Sequence, residues 1–292
     1  MNEFSRCHPS VNFVYFSGVI VFSCIFMHPV CLAISLIGSA AYLLILSRKD
    51  FIRTNVTVIL PFVLFASAIN ILFNHKGATI LAYFPSGNPL TLESLVYSLA
   101  ASAMLASMLM WFSCFNKIMT SDKFIYLFGK LSPALSLALS MTLRFIPRFS
   151  RGIKEISAAQ SLLGKGTGNG GIIRRLKNGI NILSAMITVS LENSAQTAVS
   201  MKSRGFGQKK RTSFHLYKFD MRDIILLSLF LFMSVYIIAG AGLGKLGFSY
   251  FPITDKKPCD IYSLSVFAAY FILCVTPAVF EITEDLKWRF LK

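Results

Sequence analysis

The residues best suited to a specific chemical contact are Ser203, Arg204 and Gly205, at the end of a predicted helix. Arginine carries a planar guanidinium that pairs bidentately with a carboxylate. Glycine ends a helix in the left-handed conformation without steric cost, and a cation in the last turn suits the helix dipole. The pattern fits either an ordinary capped helix or a contact point for another protein, and taken alone it favours the capped helix.

Other residues that carry chemistry form no catalytic or metal-binding pattern. The six cysteines lack a CxxC spacing and lie mostly in apolar stretches, so we interpret them as small buried hydrophobic residues. A GxGxxG spacing at Gly166, Gly168 and Gly171 follows a predicted helix rather than a strand, which argues against a dinucleotide site. We therefore expect no cofactor or metal in this chain.

The composition is that of a membrane protein. Hydrophobic residues make up 54% of the chain and charged residues 14%, whereas soluble domains carry about 25% charged residues. A helix needs about 20 mainly apolar residues to cross a bilayer. Six stretches come near that length: 11–27, 31–46, 56–73, 93–112, 224–244 and 261–281.

The distribution of charge predicts the orientation in the membrane. Arg48, Lys49 and Arg53 lie between the second and third stretches and place that loop in the cytoplasm. Alternation then places 113–223, which holds most of the net charge of +16, and both termini on the same side. The basic block could also suit nucleic acid or anionic lipid headgroups, as in a membrane-anchored module that binds through its basic loop. The topological interpretation is simpler, and we expect no nucleic-acid partner.

The chain is thus predicted to have three segments. Residues 1–112 hold about four transmembrane helices, 113–223 form a cytoplasmic or interfacial region, and 224–292 form a C-terminal transmembrane hairpin. Within the six stretches the ionisable residues are Glu93 and Glu281, both at stretch ends. Proton relays and intramembrane catalytic groups need such residues, so a self-sufficient carrier or a membrane enzyme is disfavoured.

Two long amphipathic helices are predicted in the middle segment. The first spans 132–163, begins with Ser132 and Pro133, and contains Pro147, which should kink it. The second carries an apolar stripe at steps of three and four, which predicts one buried face. The stripe consists of Ile180, Leu183, Ile187, Leu191, Ser194, Ala198 and Met201.

The sequences "LRFIPRFSRGIKEISAAQSLLG" and "NILSAMITVSLENSAQTAVSMKSRGFG" resemble the coupling region of the transmembrane T component of energy-coupling factor (ECF) importers. The shared features include the Arg144–Pro147 stretch, Ala159-Gln160 and Ser203-Arg204-Gly205. The layout matches over essentially the whole chain, whereas specific residues match mainly over 140–223. The resemblance implies an all-α membrane protein with about six transmembrane helices and a cytoplasmic pair of coupling helices.

The resemblance also implies a function. A T component is a non-catalytic scaffold in the cell membrane that couples two ABC-type ATPase subunits, which bind ATP and magnesium, to one substrate-binding membrane subunit. Such importers take up vitamins or transition-metal ions such as cobalt and nickel. The apolar faces of the two helices would cradle the substrate-binding subunit. The alternative function is a self-sufficient secondary carrier or membrane enzyme with a basic cytoplasmic loop.

In that family each coupling helix ends in a small-Arg-Gly motif that contacts one ATPase. The resemblance assigns docking to Ser203, Arg204 and Gly205 on the second helix. On the first helix it assigns docking to Ala159, Gln160, Leu163 and Gly164. The first motif departs from the family because Leu163 stands where arginine is expected, so its contact is expected to be apolar rather than ionic.

Overall fold

A computed structural model describes most of the chain. The described residues are 3–47, 52, 57, 59–74, 76–83, 89–131, 133–166, 168, 171–206, 217, 219–244, 246–251 and 260–290. Arg48, Lys49, Arg53 and Ser132, which carried parts of the sequence analysis, lie outside them.

The described residues form ten helices and one short hairpin. The helices are α1 Glu3–Arg6, α2 Pro9–Ile25, α3 Pro29–Leu46, α4 Leu60–Phe73, α5 Leu92–Ile118, α6 Ser121–Leu131, α7 Pro133–Leu162, α8 Ile172–Ser203, α9 Met221–Gly242 and α10 Ile261–Phe290. The antiparallel strands are β1 Ile80–Tyr83 and β2 Pro89–Thr91.

Four helices are long and apolar enough to cross a membrane: α3, α5, α9 and residues Ile261–Thr283 of α10. The apolar helices α2 and α4 are shorter. All six predicted stretches therefore coincide with helices, which confirms an all-α, multi-pass membrane protein. The helices α5 and α9 extend beyond the predicted stretches, so they also include Lys117, Arg222 and Asp223 near their ends.

The chain divides into two compact units, Met1–Lys123 with Tyr217–Lys292 and Phe124–Leu216. Helix α6 contributes to both units. The predicted boundaries at 112/113 and 223/224 separate transmembrane segments from a cytoplasmic or interfacial segment. The division into two compact units does not test which residues lie in a membrane, so these boundaries stay predictions.

The core of the first unit is aromatic. Trp111, Tyr15, Phe16 and Tyr42 are almost fully buried, and the Trp111 ring lies 6.2–6.5 Å from the other three rings. Two donors in this core are paired across helices: Trp111 Nε1 donates to Ser35 Oγ at 3.1 Å, and Tyr15 OH donates to the Leu273 carbonyl at 3.1 Å. Within the described residues the buried Tyr42 hydroxyl has no hydrogen-bond partner. Edge-to-face ring contacts and satisfied donors fix one arrangement of these helices.

The helices α2 and α3 begin in the same way. Each is preceded by a histidine and has proline in its first turn. The Nδ1 atom of His8 accepts from the Ser10 N–H at 3.2 Å, and that of His28 from the Val30 N–H at 3.3 Å. These two histidines therefore cap helices, in place of the more common Ser, Thr or Asp.

Lys123 connects the C-terminal end of α5 to the N-terminal helix α1 by hydrogen bonds. Lys123 Nζ donates to the Ser5 carbonyl, to Ser5 Oγ at 3.0 Å and to the Ile118 carbonyl at 3.0 Å. Burial lowers the pKa of Lys123.

A second contact lies at the start of α5. The Glu93 carboxylate there accepts hydrogen bonds from Thr79 Oγ1 at 2.6 Å and from the Thr79 N–H. This contact holds the β1–β2 hairpin, which the sequence analysis did not predict.

The second unit contains α7 and α8, which pack against each other. The helix α7 continues through Pro147 without a break. A Cβ atom added at Gly152 would lie 3.0 Å from both Sδ and Cε of Met186, so the two helices approach closely there. The buried residues of α8 are Asn178, Ile182 and Met186.

The predicted stripe on α8 is not the buried face within this chain. Ile180, Leu183, Ile187 and Leu191 are all at least half exposed. The physical reason is that α8 carries two neighbouring apolar faces, and the one with Ile182 and Met186 packs on α7. Periodicity predicted the helix correctly but did not distinguish its two faces.

Candidate functional site

The end of α8 is a Schellman cap. Gly205 has φ of +80°, in the left-handed region that glycine adopts readily. The Phe206 N–H donates to the Met201 carbonyl at 3.1 Å, and the Gly205 N–H donates to the Lys202 carbonyl at 3.1 Å. These two bonds define the motif. Arg204 sits at the C-cap position with its side chain exposed.

The end of α7 has the same geometry. Gly164 has φ of +69°. The Lys165 N–H donates to the Gln160 carbonyl at 2.9 Å, and the Gly164 N–H donates to the Ser161 carbonyl at 3.0 Å. Leu163 therefore occupies the position that Arg204 occupies on α8, and it is 71% exposed. The two ends are structural equivalents although their sequences differ.

The two ends present similar side chains in reversed order. On α8 a cation precedes the left-handed glycine and an apolar ring follows it, as Arg204-Gly205-Phe206. On α7 an apolar side chain precedes the glycine and a cation follows it, as Leu163-Gly164-Lys165. Each end thus offers one cation and one apolar side chain around a sharp turn. The missing arginine is visible in the sequence, whereas the equivalence of the two sets of positions, which defines this inversion, follows from the two caps.

The remaining predicted docking residues have distinct positions. Ala159 is exposed and Gln160 is half-buried, with the Gln160 carbonyl accepting in the cap. Ser203 is exposed, and its hydroxyl donates to the Ser200 carbonyl at 2.9 Å. Within the described residues the Arg204 guanidinium has no hydrogen-bond or ion-pair partner. The group is therefore available for a carboxylate on another molecule.

The two capped ends are far apart. The chain passes from Leu163 to the start of α8 at Ile172 through a short glycine-rich connection. The 32 residues of α8 then separate this connection from Arg204, a helix length of about 48 Å. Asn178 Nδ2 donates to the Gly166 carbonyl at 3.1 Å and fixes the connection on α8. The structure does not bring the two predicted docking ends together into one site.

The stripe on α8 forms a separate apolar surface. Besides the four half-exposed aliphatic residues Ile180, Leu183, Ile187 and Leu191, it includes Ala198, which is exposed, and Met201, which is half-buried. An aliphatic surface of this length on a two-helix unit is suited to covering by another apolar surface.

The described residues thus form an all-α, multi-pass membrane protein with a pair of long helices, α7 and α8, that end in matched caps. Comparison with known proteins gives the family. The family model described as "CbiQ: Cobalt transport protein" matches residues 3–215. The chain therefore belongs to the CbiQ family.

Individual relatives carry the name "Energy-coupling factor transporter transmembrane protein EcfT". The protein from Lactococcus lactis subsp. cremoris is 33% identical over 105 residues, which are 36% of this chain and 40% of the relative. The one from Bacillus selenitireducens is 31% identical over 111 residues, 38% of this chain and 41% of the relative. These two matches span about two fifths of the relatives' length. The protein from Brevibacillus brevis is 27% identical over 202 residues, 64% of this chain and 75% of the relative.

Proposed function

We propose that this protein is the membrane-embedded scaffold subunit of an ECF-type importer. It would couple ATP hydrolysis by two separate ABC-type ATPases to uptake through a separate substrate-binding membrane subunit. The chain would contribute no catalytic group, and ATP and magnesium would be bound by the ATPases.

The observation that carries this proposal is the pair of matched caps on α7 and α8. A helix that merely ends at a surface needs a satisfied cap but no exposed guanidinium or leucine on it. Leu163 and Arg204 occupy equivalent positions at ends separated by the length of α8, which suits two ATPase subunits better than one. Arg204 would pair with a carboxylate, whereas Leu163 would enter an apolar groove and Lys165 would supply charge from the other side of Gly164.

The exposed stripe supports the second part of the proposal. An aliphatic surface that this chain does not cover is suited to an apolar membrane subunit. The description of the family model refers to cobalt transport, and the relatives' names refer to energy-coupling factor transport. The substrate class that we propose from these and from the family resemblance is a vitamin or a transition-metal ion such as cobalt or nickel, recognised by the other subunit.

The test is co-purification of the ATPases with variants of the full chain from native membranes. Arg204→Glu should remove most of the bound ATPases and leave membrane insertion intact. The matched control is Lys202→Glu, which reverses an exposed charge in the same turn of α8 without touching the docking residue. If both variants keep the ATPases and uptake is normal, Arg204 is only a helix cap.

A second variant tests the first end. Leu163→Arg restores the arginine expected in the family at an exposed C-cap position. It should be tolerated and should retain the ATPases at least as well as the wild type. Unfolding of this variant would show that Leu163 is a core residue and would remove the α7 end from the proposal.

A further inference from the structure

A wide groove of about 1380 Å³ lies between α7 and α8. This volume exceeds the roughly 300–1,000 Å³ of typical small-molecule pockets. The groove runs along α7 from Leu137 to Ile156 and along α8 from Met186 to Arg204, and the close contact of Gly152 with Met186 forms part of its lining.

One wall of the groove is strongly cationic. Arg144, Arg148 and Arg151 follow one another at steps of four and three residues on α7, so they share one face, and Arg204 contributes from the end of α8. Glu155 is the one carboxylate among the described lining residues. Within the described part of the chain, Arg144, Arg148 and Arg204 form no ion pair or hydrogen bond through their side chains. Several uncompensated guanidinium groups facing one space favour an anionic occupant.

The other residues that line the groove include both polar and apolar side chains. The opposite wall offers amide side chains from Asn193 and Gln196, while Met141 and Phe145 of α7 and Val189 of α8 supply apolar surface. A free phosphate or a nucleotide would use the arginines but not this aliphatic and aromatic surface. An amphipathic anion would use both.

We propose that this groove binds the headgroup and upper acyl chains of an anionic phospholipid. Guanidinium groups bind phosphate oxygens in a bidentate manner. Basic pockets between helices on the cytoplasmic side of membrane proteins bind anionic lipid headgroups in this way. Anionic phospholipids surround a membrane protein, and α7 follows a membrane-spanning helix in the chain after one short helix. The groove shares Arg204 with the ATPase contact proposed above, whereas its other three arginines lie on α7 and are not part of that contact.

The test is lipid binding to the purified full chain in neutral detergent, measured by native mass spectrometry. The probes are phosphatidylglycerol and, as the zwitterionic comparison, phosphatidylcholine. Arg144→Gln combined with Arg148→Gln should weaken phosphatidylglycerol binding about 30-fold, since each basic residue near an anionic lipid contributes about a fivefold gain. Phosphatidylcholine binding should not change.

The matched control is Lys154→Gln combined with Arg174→Gln. It removes the same number of exposed charges from α7 and α8 without altering the groove. This pair should leave phosphatidylglycerol binding within about twofold, because charge far from the lipid is screened. Equal weakening by both pairs would show a diffuse surface effect and would overturn the proposal.

A second variant covers the case in which the double substitution does not fold. Gln196→Glu is nearly isosteric, lies on an exposed groove position and places a carboxylate opposite the arginines. It should weaken phosphatidylglycerol binding about fivefold.

Two other occupants give different results. If ATP binds with dependence on Arg144 and Arg148 while phosphatidylglycerol does not, the groove is a nucleotide site. If the double variant loses the ATPases and its lipid binding is unchanged, the groove docks an acidic protein segment. Either result rejects the lipid site. The second leaves the scaffold function standing. Retention of the ATPases by Arg204→Glu would count against the ATPase contact, whereas the lipid result depends on Arg144 and Arg148, so failure of one proposal can be told from failure of the other.

Discussion

The two units of the molecule contrast in how they use apolar side chains. In the first unit Trp111, Phe16 and Tyr42 are fully buried in one aromatic core that several helices share. In the second unit α8 has three buried residues along its 32, while Leu183 and Leu191 are more than half exposed.

Both units also expose apolar side chains, such as Phe73 and Ile261 in the first. The difference is that the first unit has an extended core of its own, whereas few residues of α8 are buried. We infer that the bundle is held by its own core and that, on the proposed function, α7 and α8 are the elements that contact partners.

The largest effect is expected in the aromatic core. Trp111→Ala should lower the free energy of unfolding by about 3–5 kcal/mol, because it leaves a cavity and removes a donor to Ser35. The measurement is unfolding of the purified chain in detergent. Phe112→Ala is the matched control, since its neighbouring ring is 47% exposed, and it should cost clearly less. Equal losses would mean that the first unit does not depend on this core.

An intermediate effect is expected where α7 meets α8. Gly152→Leu should destabilise the pair by about 1–3 kcal/mol because its side chain would overlap Met186. The readout is thermal unfolding together with protease cleavage in the connection 163–171. Combining it with Met186→Ala should restore part of the loss. The control Gly179→Ala, at a helical glycine with open space, should be stabilising by about 0.5–1 kcal/mol. Without that difference, the contact at Gly152 is not what holds the helices together.

The smallest effect on stability is expected on the exposed stripe. Leu183→Ser combined with Leu191→Ser should change the stability of the isolated chain by no more than about 0.5 kcal/mol, since both residues are exposed. The same variant should lose the substrate-binding membrane subunit on co-purification. The adjacent Ile182→Ser alters the buried face and should instead destabilise the chain by about 2 kcal/mol. If Leu183 and Leu191 prove as costly as Ile182, the stripe belongs to the core.

Some of this contrast was predictable from the sequence. The apolar stretches predicted the apolar helices, and Gly205 after a cation predicted the end of α8, because both signals are local in the sequence. The choice between the faces of α8 was not predictable, since Ile182 and Leu183 are equally apolar and only packing on α7 separates them. The hairpin was missed because Glu93 and Thr79, which hold it, are distant in sequence.

The candidate site was predicted in parts. Arg204 and the departure at Leu163 are visible as residue types, and the caps confirm that the two helix ends share one geometry. The reversed placement of Lys165 and Phe206 depends on backbone hydrogen bonds that spacing does not reveal. The cationic groove was missed because the space that Arg144, Arg148 and Arg151 of α7 share with Arg204 of α8 exists only after α8 folds back on α7.

The close contact of Gly152 with Met186 divides the two helices into unequal arms. From Met186 to Ser203 the helix runs about 26 Å, whereas from Gly152 to Leu162 it runs about 15 Å. A scissoring rotation of about 10° around this contact would displace the arginine-bearing tip by roughly 4–5 Å and the leucine-bearing tip by roughly 2–3 Å. If the two ends dock separate ATPases as proposed, equal strokes of these subunits would turn the pair by different angles, and their contributions to transport would be unequal.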